Sequence, residues 1–568
     1  MPHPSVSAFA NSFFKPRQEA TSPSQEAADY NSNGENRCIF QGFEWNIPAD
    51  QKHWRRLENS LNSLKAVGVD EVWLPPGCKA THQNSNGYDI YDLYDLGEFD
   101  QKWHKVTKWG SKEDLLALSS KAEQLGVGLI WDTVLSHRAG GDQRERVKAV
   151  EVDAEDRNKV LSKPREIEAF LGFDFKMRGG QYSDLKLHAE HFNGTDHDAT
   201  LQQQKPGVIY LTKRWCPNVD KSEKGNYDFL IFSNLDYTSP ALAADTINWG
   251  SNFMPSTLGP ALSGFRLDAA RHFDWKFTRD FLSAIKKTHP NKQWTFLAEY
   301  WHGGHYSNIQ SYLRNFPPEL KVLAYDAPLL YKFRDASSHL QPSAPSKSLT
   351  RPARPLPPFD MRVLMKDTLV SALPNQAVTM VASHDTQPGQ TCEAYISPDF
   401  KEAAYAITLL RQGGIPCVFF GDLYGLSPWE GRGAEPPIWK LPDLMLARKL
   451  FAYGRQNEYW DAPGCVGWTR EGLDGERVPE GKEWMGEGCA VVVSNVHEGG
   501  RKKMFVGKKH AGATWTGLWD WETYKLQIDD EGLGDFAVGG AGANVYVRDV
   551  ASGRNLFGQF DRDIYGKA

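Results

Sequence analysis

Cysteine is scarce and scattered: seven in 568 residues, with no CxxC pair and no dense framework. That excludes a cysteine-built zinc site and a disulfide scaffold, and it predicts buried, reduced thiols and a cytoplasmic setting. Long apolar runs are missing too. Nothing approaches the roughly 20 apolar residues of a membrane span, so no membrane partner is expected. A formal charge of −6 gives no basic footprint for nucleic acid. The first 35 residues, with runs such as Ser22-Pro23-Ser24-Gln25-Glu26, lack the apolar centre of a signal peptide and read as a disordered lead-in.

Aromatic rings are plentiful, with 19 Trp and 21 Tyr. Most such rings fill cores, and Trp73, Trp131 and Trp249 are expected to do so. A flat apolar ring also matches the C–H face of a pyranose, so sugar binding is a second use. The length predicts two to four domains.

After the lead-in, Cys38–Trp45 reads as a buried strand. Trp54, Leu57, Leu61, Leu64 and Val67 recur at helical spacing, and Gly68 ends the run. Glu71–Leu74 is a strand closed by prolines. Ser111 with Asp114 predicts a capping box for a helix that Gly126 stops, and Gly128–Asp132 is the next strand. Strand, helix, strand, helix is the pattern of parallel β/α architecture. It breaks over residues 140–238, a polar stretch too long for a loop and so an inserted domain. Further strands are expected at Gly264–Asp268, Thr295–Glu299, Lys321–Asp326, Val378–Asp385 and Pro416–Asp422. Eight strands suffice for a (β/α)8 barrel.

The expected organisation is therefore a tail (1–35), a barrel (36–139 and 239–458), an irregular β-rich insertion after the third strand (140–238), a C-terminal all-β sandwich (459–551) and a short tail (552–568). Residues 341–358, dense in Pro and Ser, are expected to form a surface insertion. Sandwich strands are expected at Cys489–Val496, Lys503–Val506, Gly517–Trp521 and Asn544–Val547.

The chemistry centres on Gly264-Phe-Arg-Leu-Asp-Ala-Ala-Arg-His272. In a strand, Phe265 and Leu267 face one side while Arg266 and Asp268 face the other. The arginine holds the aspartate ionised. A salt bridge at a strand end would look the same. However, three more strand ends carry similar groups: Asp132 with His137, Glu299, and His384 with Asp385. In such a barrel these ends share one face. One ionised and one protonated carboxyl group are what acetal hydrolysis at a sugar needs.

Four segments then carry a family resemblance: Asp132-Thr-Val-Leu-Ser-His137, Gly264–His272, Ala298-Glu-Tyr-Trp301, and Ser383-His-Asp-Thr-Gln-Pro-Gly-Gln390. The chain resembles the α-amylases of glycoside hydrolase family 13. Gly87–Phe99 and Val466-Gly-Trp-Thr-Arg-Glu471 are similar to the liquefying, cytoplasmic-type branch. The resemblance covers Cys38 to Arg548. It implies a retaining endo-hydrolase of α-1,4-glucans, with Asp268 as nucleophile, Glu299 as acid/base and Asp385 as third acid. Tyr88 is implied as a stacking platform, with His137, Arg266, His272 and His384 around the scissile sugar.

Calcium is the cofactor such relatives carry, and here the pattern departs. Ser136 stands where relatives have Asn, and Asn234-Leu-Asp236 replaces Asp-x-Asp, although Asn226-Tyr-Asp228 is kept. Exchanging a carboxylate for an amide weakens attraction for a divalent ion. Asp228 and the His272 backbone are the best candidates if calcium binds, and weak or no binding is expected. His188, His191 and His197 are expected to belong to a solvated insertion rather than a metal site, and Arg144–Arg146 to a solvated face. The partner is an α-glucan, met by a monomer. Two other functions fit the motifs: glucan transfer to a second sugar, and a dead barrel serving as a scaffold. The second is disfavoured because all three acids are present.

Overall fold

The computed structural model describes residues 36–153, 156–201, 208–213, 215–220, 232–340, 357–520 and 522–566. The lead-in and residues 341–356 of the expected insertion lie outside them.

Eight short parallel strands close into a barrel: β1 (Ile39–Gln41), β2 (Glu71–Trp73), β3 (Gly128–Thr133), β4 (Leu262–Leu267), β5 (Thr295–Ala298), β6 (Leu323–Tyr325), β7 (Ala377–Met380) and β8 (Ile415–Phe419). Each pairs with its sequence neighbour, and β1 pairs with β8 to seal the cylinder. All eight fall where the apolar runs predict them.

The helices outside form for legible reasons. Between β1 and β2, α1 (His53–Ala66) buries Trp54, Leu57, Leu61 and Leu64 on one stripe. Between β2 and β3, α2 (Lys112–Leu125) has Ser111 and Asp114 in a reciprocal capping box and ends at Gly126 in the left-handed conformation. After β4, α3 (Trp275–Thr288) is capped by Asp274 and buries Phe277, Phe281 and Ile285. Phe265 packs between Phe281 (5.9 Å) and Trp294 (5.8 Å), as the outward face of β4 requires. Trp73, Trp131 and Trp249 are core residues.

Not every strand-end carboxylate serves a cleft. Asp326, following β6, accepts hydrogen bonds from the backbone N–H groups of Leu329, Leu369 and Val370, tying two helices to the barrel. Asp422, beyond β8, accepts from Lys401 and Tyr405.

The stretch after β3 is more regular than its polarity suggests. Gln143–Val152 and Arg165–Gly172 form a long antiparallel hairpin in a six-stranded sheet with His137–Arg138, Phe192–Thr195, Val208–Leu211 and Ser233–Leu235. Ile167, Ala169 and Leu171 point into its core, while Arg144 and Arg146 stay exposed. His191 and Asp198 are buried rather than solvated, Asp198 by its ion pair with Arg165 (2.5 Å).

The C-terminal β unit sets a six-stranded sheet against the pair Gly500–Phe505 and Leu533–Val538. Val492, Met504, Trp515, Phe536 and Tyr546 share the core. The strand expected at Gly517–Trp521 lies earlier, at Thr514–Gly517: Trp515 is fully buried, whereas Asp520 opens a turn by accepting from Tyr524 N. The last described residues fold back on the barrel: Phe557 stacks on Phe451 and Ile564 is buried. Five of the seven cysteines, Cys38, Cys78, Cys417, Cys465 and Cys489, are buried thiols.

Candidate active site

The register of three adjacent strands builds the centre. Arg266 of β4 lies opposite Asp132 of β3 and Leu297 of β5, and all three strands end together at Thr133, Leu267 and Ala298. The next residues, Asp268 and Glu299, therefore emerge side by side at the carboxyl-terminal rim.

The Arg266 guanidinium is the hub, and it is 1% exposed. One terminal nitrogen donates to Asp268 Oδ1 (2.6 Å) and to Asp132 Oδ1 (2.9 Å). The other meets Glu299 Oε2 (2.7 Å). Its Cζ lies over the Trp73 ring, 5.0 Å from the centroid. Burying a guanidinium is costly unless its charge is matched, and here several carboxyl groups match it. Trp73 Nε1 (3.0 Å) and the Tyr88 hydroxyl (2.9 Å) both donate to Asp132 Oδ2.

The third acid comes from the turn after β7. His384 Nε2 lies 3.2 Å from Asp385 Oδ2 and 2.9 Å from the Tyr88 hydroxyl, while Gln41 Nε2 meets His384 Nδ1 at 2.9 Å. An amide nitrogen only donates, so the proton of the neutral ring sits on Nε2, facing Asp385. Burial and the nearby Arg266 charge hold His384 well below the usual histidine range, hence neutral.

Four carboxyl groups around one cation cannot all be charged, and their titrations are linked. Burial raises Glu299 well above the ordinary glutamate range, and the charges of Asp268 and Asp385 push it further. Burial raises Asp132 to about 7 and Asp385 to about 6. Glu299 Oε2 also accepts from Ala269 N (2.8 Å), whose φ of 48° turns that N–H toward it.

One consequence is measurable. Asp385 goes from about 3.8 unfolded to about 6 folded, so the fold favours its protonated form. Native stability from this group is present below pH 4 and is lost as pH rises toward 6. Asp385→Asn is therefore expected to match the native Tm near pH 4 and to exceed it at pH 8. The gain is small, because a third of that side chain faces water. Equal Tm differences at both pH values would contradict this.

Rings line the same face. Trp45, Tyr88 and His384 lie within 9° of parallel, with centroids 5.4–5.9 Å apart in all three pairings. The three near-parallel rings form one offset-stacked cluster beside the acids. His137 is used differently from the expectation of hydroxyl binding: its Nε2 donates to the Tyr88 carbonyl (2.7 Å) and its Nδ1 meets Ser136 Oγ (2.9 Å). Through Nε2 the ring holds the Tyr88 backbone in place, while Nδ1 is occupied by its neighbour Ser136. His272 is half-buried in the turn after β4, its N–H donating to Ala269 O.

Sequence reasoning did not single out Gln41 or Trp45, read Trp73 only as core, and named Asp132 as a strand-end acid without giving it a role. Gln41 left a signal, an amide inside an otherwise apolar buried strand, where an unpaired polar group is costly.

Of the residues considered for calcium, Ser136 and Asp236 are engaged by other groups of the protein. Ser136 is turned to His137. Asn234 Nδ2 donates to Asn193 (2.7 Å), and the Asn234 carbonyl oxygen has no hydrogen-bond partner. Asp236 is engaged by Thr238 and by the Lys213 ammonium (3.6 Å), which also donates to the carbonyls of Ala189 and Glu190 (3.2 and 2.8 Å). Asp228 lies outside the described residues. No cluster of three or more metal-binding side chains exists among the described residues, the three histidines included.

Comparison with known proteins gives a consistent picture. Residues 48–449 match the family described as alpha amylase, catalytic domain. The chain is 38% identical over 528 residues to an alpha-amylase of Bacillus licheniformis, covering 93% of this chain and 96% of that protein. It is 34% identical to the cytoplasmic alpha-amylase of Escherichia coli, covering 90% and 99%. The solved alpha-amylase of Geobacillus thermoleovorans, complexed with acarbose, shares the fold at a TM-score of 0.55 and 14% identity, covering 91% of this chain and 98% of that one.

Proposed function

The chain belongs to the alpha-amylase family, and on that premise we propose how its residues divide the work. It is a glycoside hydrolase that cuts internal α-1,4 links of starch- and glycogen-type glucans. Asp268 attacks the anomeric carbon while Glu299 gives its proton to the departing glycosidic oxygen. The glucosyl ester on Asp268 is then opened by a water that Glu299 deprotonates, so the anomeric configuration is retained. Asp385 stabilises the oxocarbenium-like charge between these steps. Tyr88 and its neighbouring rings offer a flat face to a sugar, and Arg266, His272 and His384 surround the scissile unit.

One observation carries this reading: a single guanidinium holds Asp268 and Glu299 on its two terminal nitrogens. That shared grip suits the ~5–5.5 Å spacing of retaining pairs better than the ~6.5–9.5 Å of inverting ones. Burial supplies the rest, keeping Glu299 protonated as an acid must be.

Purified enzyme with maltoheptaose tests the reading. Shorter products in the α configuration are expected, at the same rate after dialysis against a chelator, since Lys213 already neutralises Asp236. Chains longer than maltoheptaose would instead favour transfer. A tightly retained stoichiometric calcium would overturn the metal-free reading. No helix among the described residues is long and apolar enough to cross a membrane. The Escherichia coli relative, cytoplasmic by name, supports a cytoplasmic location; a monomeric working form is part of the same proposal.

A further inference from the structure

Trp103 is the most exposed large apolar side chain among the described residues, at 95%. It does not dangle from a loose loop. Gln101 and His104 exchange backbone hydrogen bonds across a two-residue turn whose central residues, Lys102 and Trp103, have φ of 52° and 61°. Such a turn suits Asn-Gly, and both larger side chains are strained there. The turn is nonetheless pinned: the Gln101 side-chain amide donates to Asp92 and Asp95 (2.9 Å each), and Lys79 Nζ donates to His104 O (2.8 Å). Lys102 Nζ pairs with Asp142 (2.7 Å). A single exposed ring is ordinary. A ring held in water by a strained, rigid turn calls for a use.

Trp103 borders a cavity of about 720 Å³ whose other walls include Phe170, 36% exposed, and Phe232. Gly140 and Gly141 line it and let the chain pack closely against Thr81 and Phe170: an added Cβ would meet Thr81 Cγ2 at 2.7 Å or Phe170 O at 2.5 Å. His82, Asp196 and His197 supply hydrogen-bonding groups along the rim. The cavity adjoins the site already described, since the Phe232 ring lies 5.5 Å from that of His137, which holds Tyr88. Aromatic faces interleaved with polar groups, set beside a glucan site, are the chemistry that holds a hexose chain.

We propose that this cradle binds the far end of a long α-glucan whose scissile link lies at Asp268, with Trp103 as its platform. The proposal rests on the glucan-hydrolase reading. It makes Trp103 a determinant of chain-length preference: short oligosaccharides do not reach it, and long ones do.

The full chain is compared with Trp103→Gly and Trp103→Phe. In the glycine variant, kcat/KM on soluble amylose relative to maltotriose is expected to fall about tenfold, near the upper end for one aromatic contact. The phenylalanine variant is expected to keep most of the ratio. Tm of the glycine variant is expected to equal or exceed the native value, because glycine adopts positive φ freely. An unchanged ratio overturns the proposal. Retardation in amylose-containing native gels reads binding without turnover. Retardation lost in Trp103→Gly while neither protein cleaves glucan would sink the hydrolase reading and leave the cradle. Retardation kept in Trp103→Gly would sink the cradle whatever the turnover.

Discussion

Asp268→Asn is expected to lower turnover of soluble starch by at least about 10⁴-fold, the scale seen when a covalent nucleophile is removed. Asn keeps the shape and can still accept from Arg266, so the far-UV spectrum and Tm should stay close to native. An amide cannot form the glucosyl ester, so the loss falls on kcat rather than on KM. A second variant separates the role from mere disturbance. In Asp268→Ala, a small anion such as azide can occupy the vacated space and attack the anomeric carbon directly. That would restore part of the turnover and give a glucosyl azide of inverted configuration. Wild-type turnover in Asp268→Asn would remove Asp268 from the nucleophile's place.

The largest effect on stability is expected at Arg266. Replacing it with Leu leaves Asp132, Asp268 and Glu299 without their shared cation. Removing one partner of a buried ion pair costs about 3–5 kcal/mol. The cost depends on pH, and its sign follows from the chemistry. At pH 5 the orphaned carboxyl groups can take up protons and become neutral. At pH 8 the fold must bury uncompensated charge or bind protons against the solvent. The drop in the urea unfolding midpoint should thus be clearly larger at pH 8 than at pH 5. Arg266→Lys should not rescue activity, because one ammonium cannot present two arms to Asp268 and Glu299. A pH-independent loss of stability would mean that Arg266 acts by packing on Trp73 alone.

The barrel was legible because its signals are local. The alternation of Phe265 and Leu267 against Arg266 and Asp268, the Ser111–Asp114 cap and the stop at Gly126 each lie within a few residues. The partners of Arg266 were not legible to the same degree. Asp268 stands two residues away and could be read directly. Asp132 and Glu299 reach the guanidinium only through the register of β3, β4 and β5, which no local pattern states. The hairpin Gln143–Gly172 was obscured for another reason: Arg and Glu occupy its outer face so densely that the alternating Ile167, Ala169 and Leu171 are easy to overlook. His137 carried the right residue type, but its bond to the Tyr88 carbonyl depends on how the loop carrying Tyr88 packs against the end of β3, 49 residues away.

Lys213 has a consequence for how the inserted sheet is held. An ion held by carboxylates exchanges with its surroundings, and its occupancy follows the free concentration outside. An ammonium carried on a side chain of the same polypeptide is present in a fixed ratio from the moment of synthesis, and dilution does not remove it from Asp236. On the metal-free reading proposed above, the inserted sheet owes that clasp to translation rather than to supply.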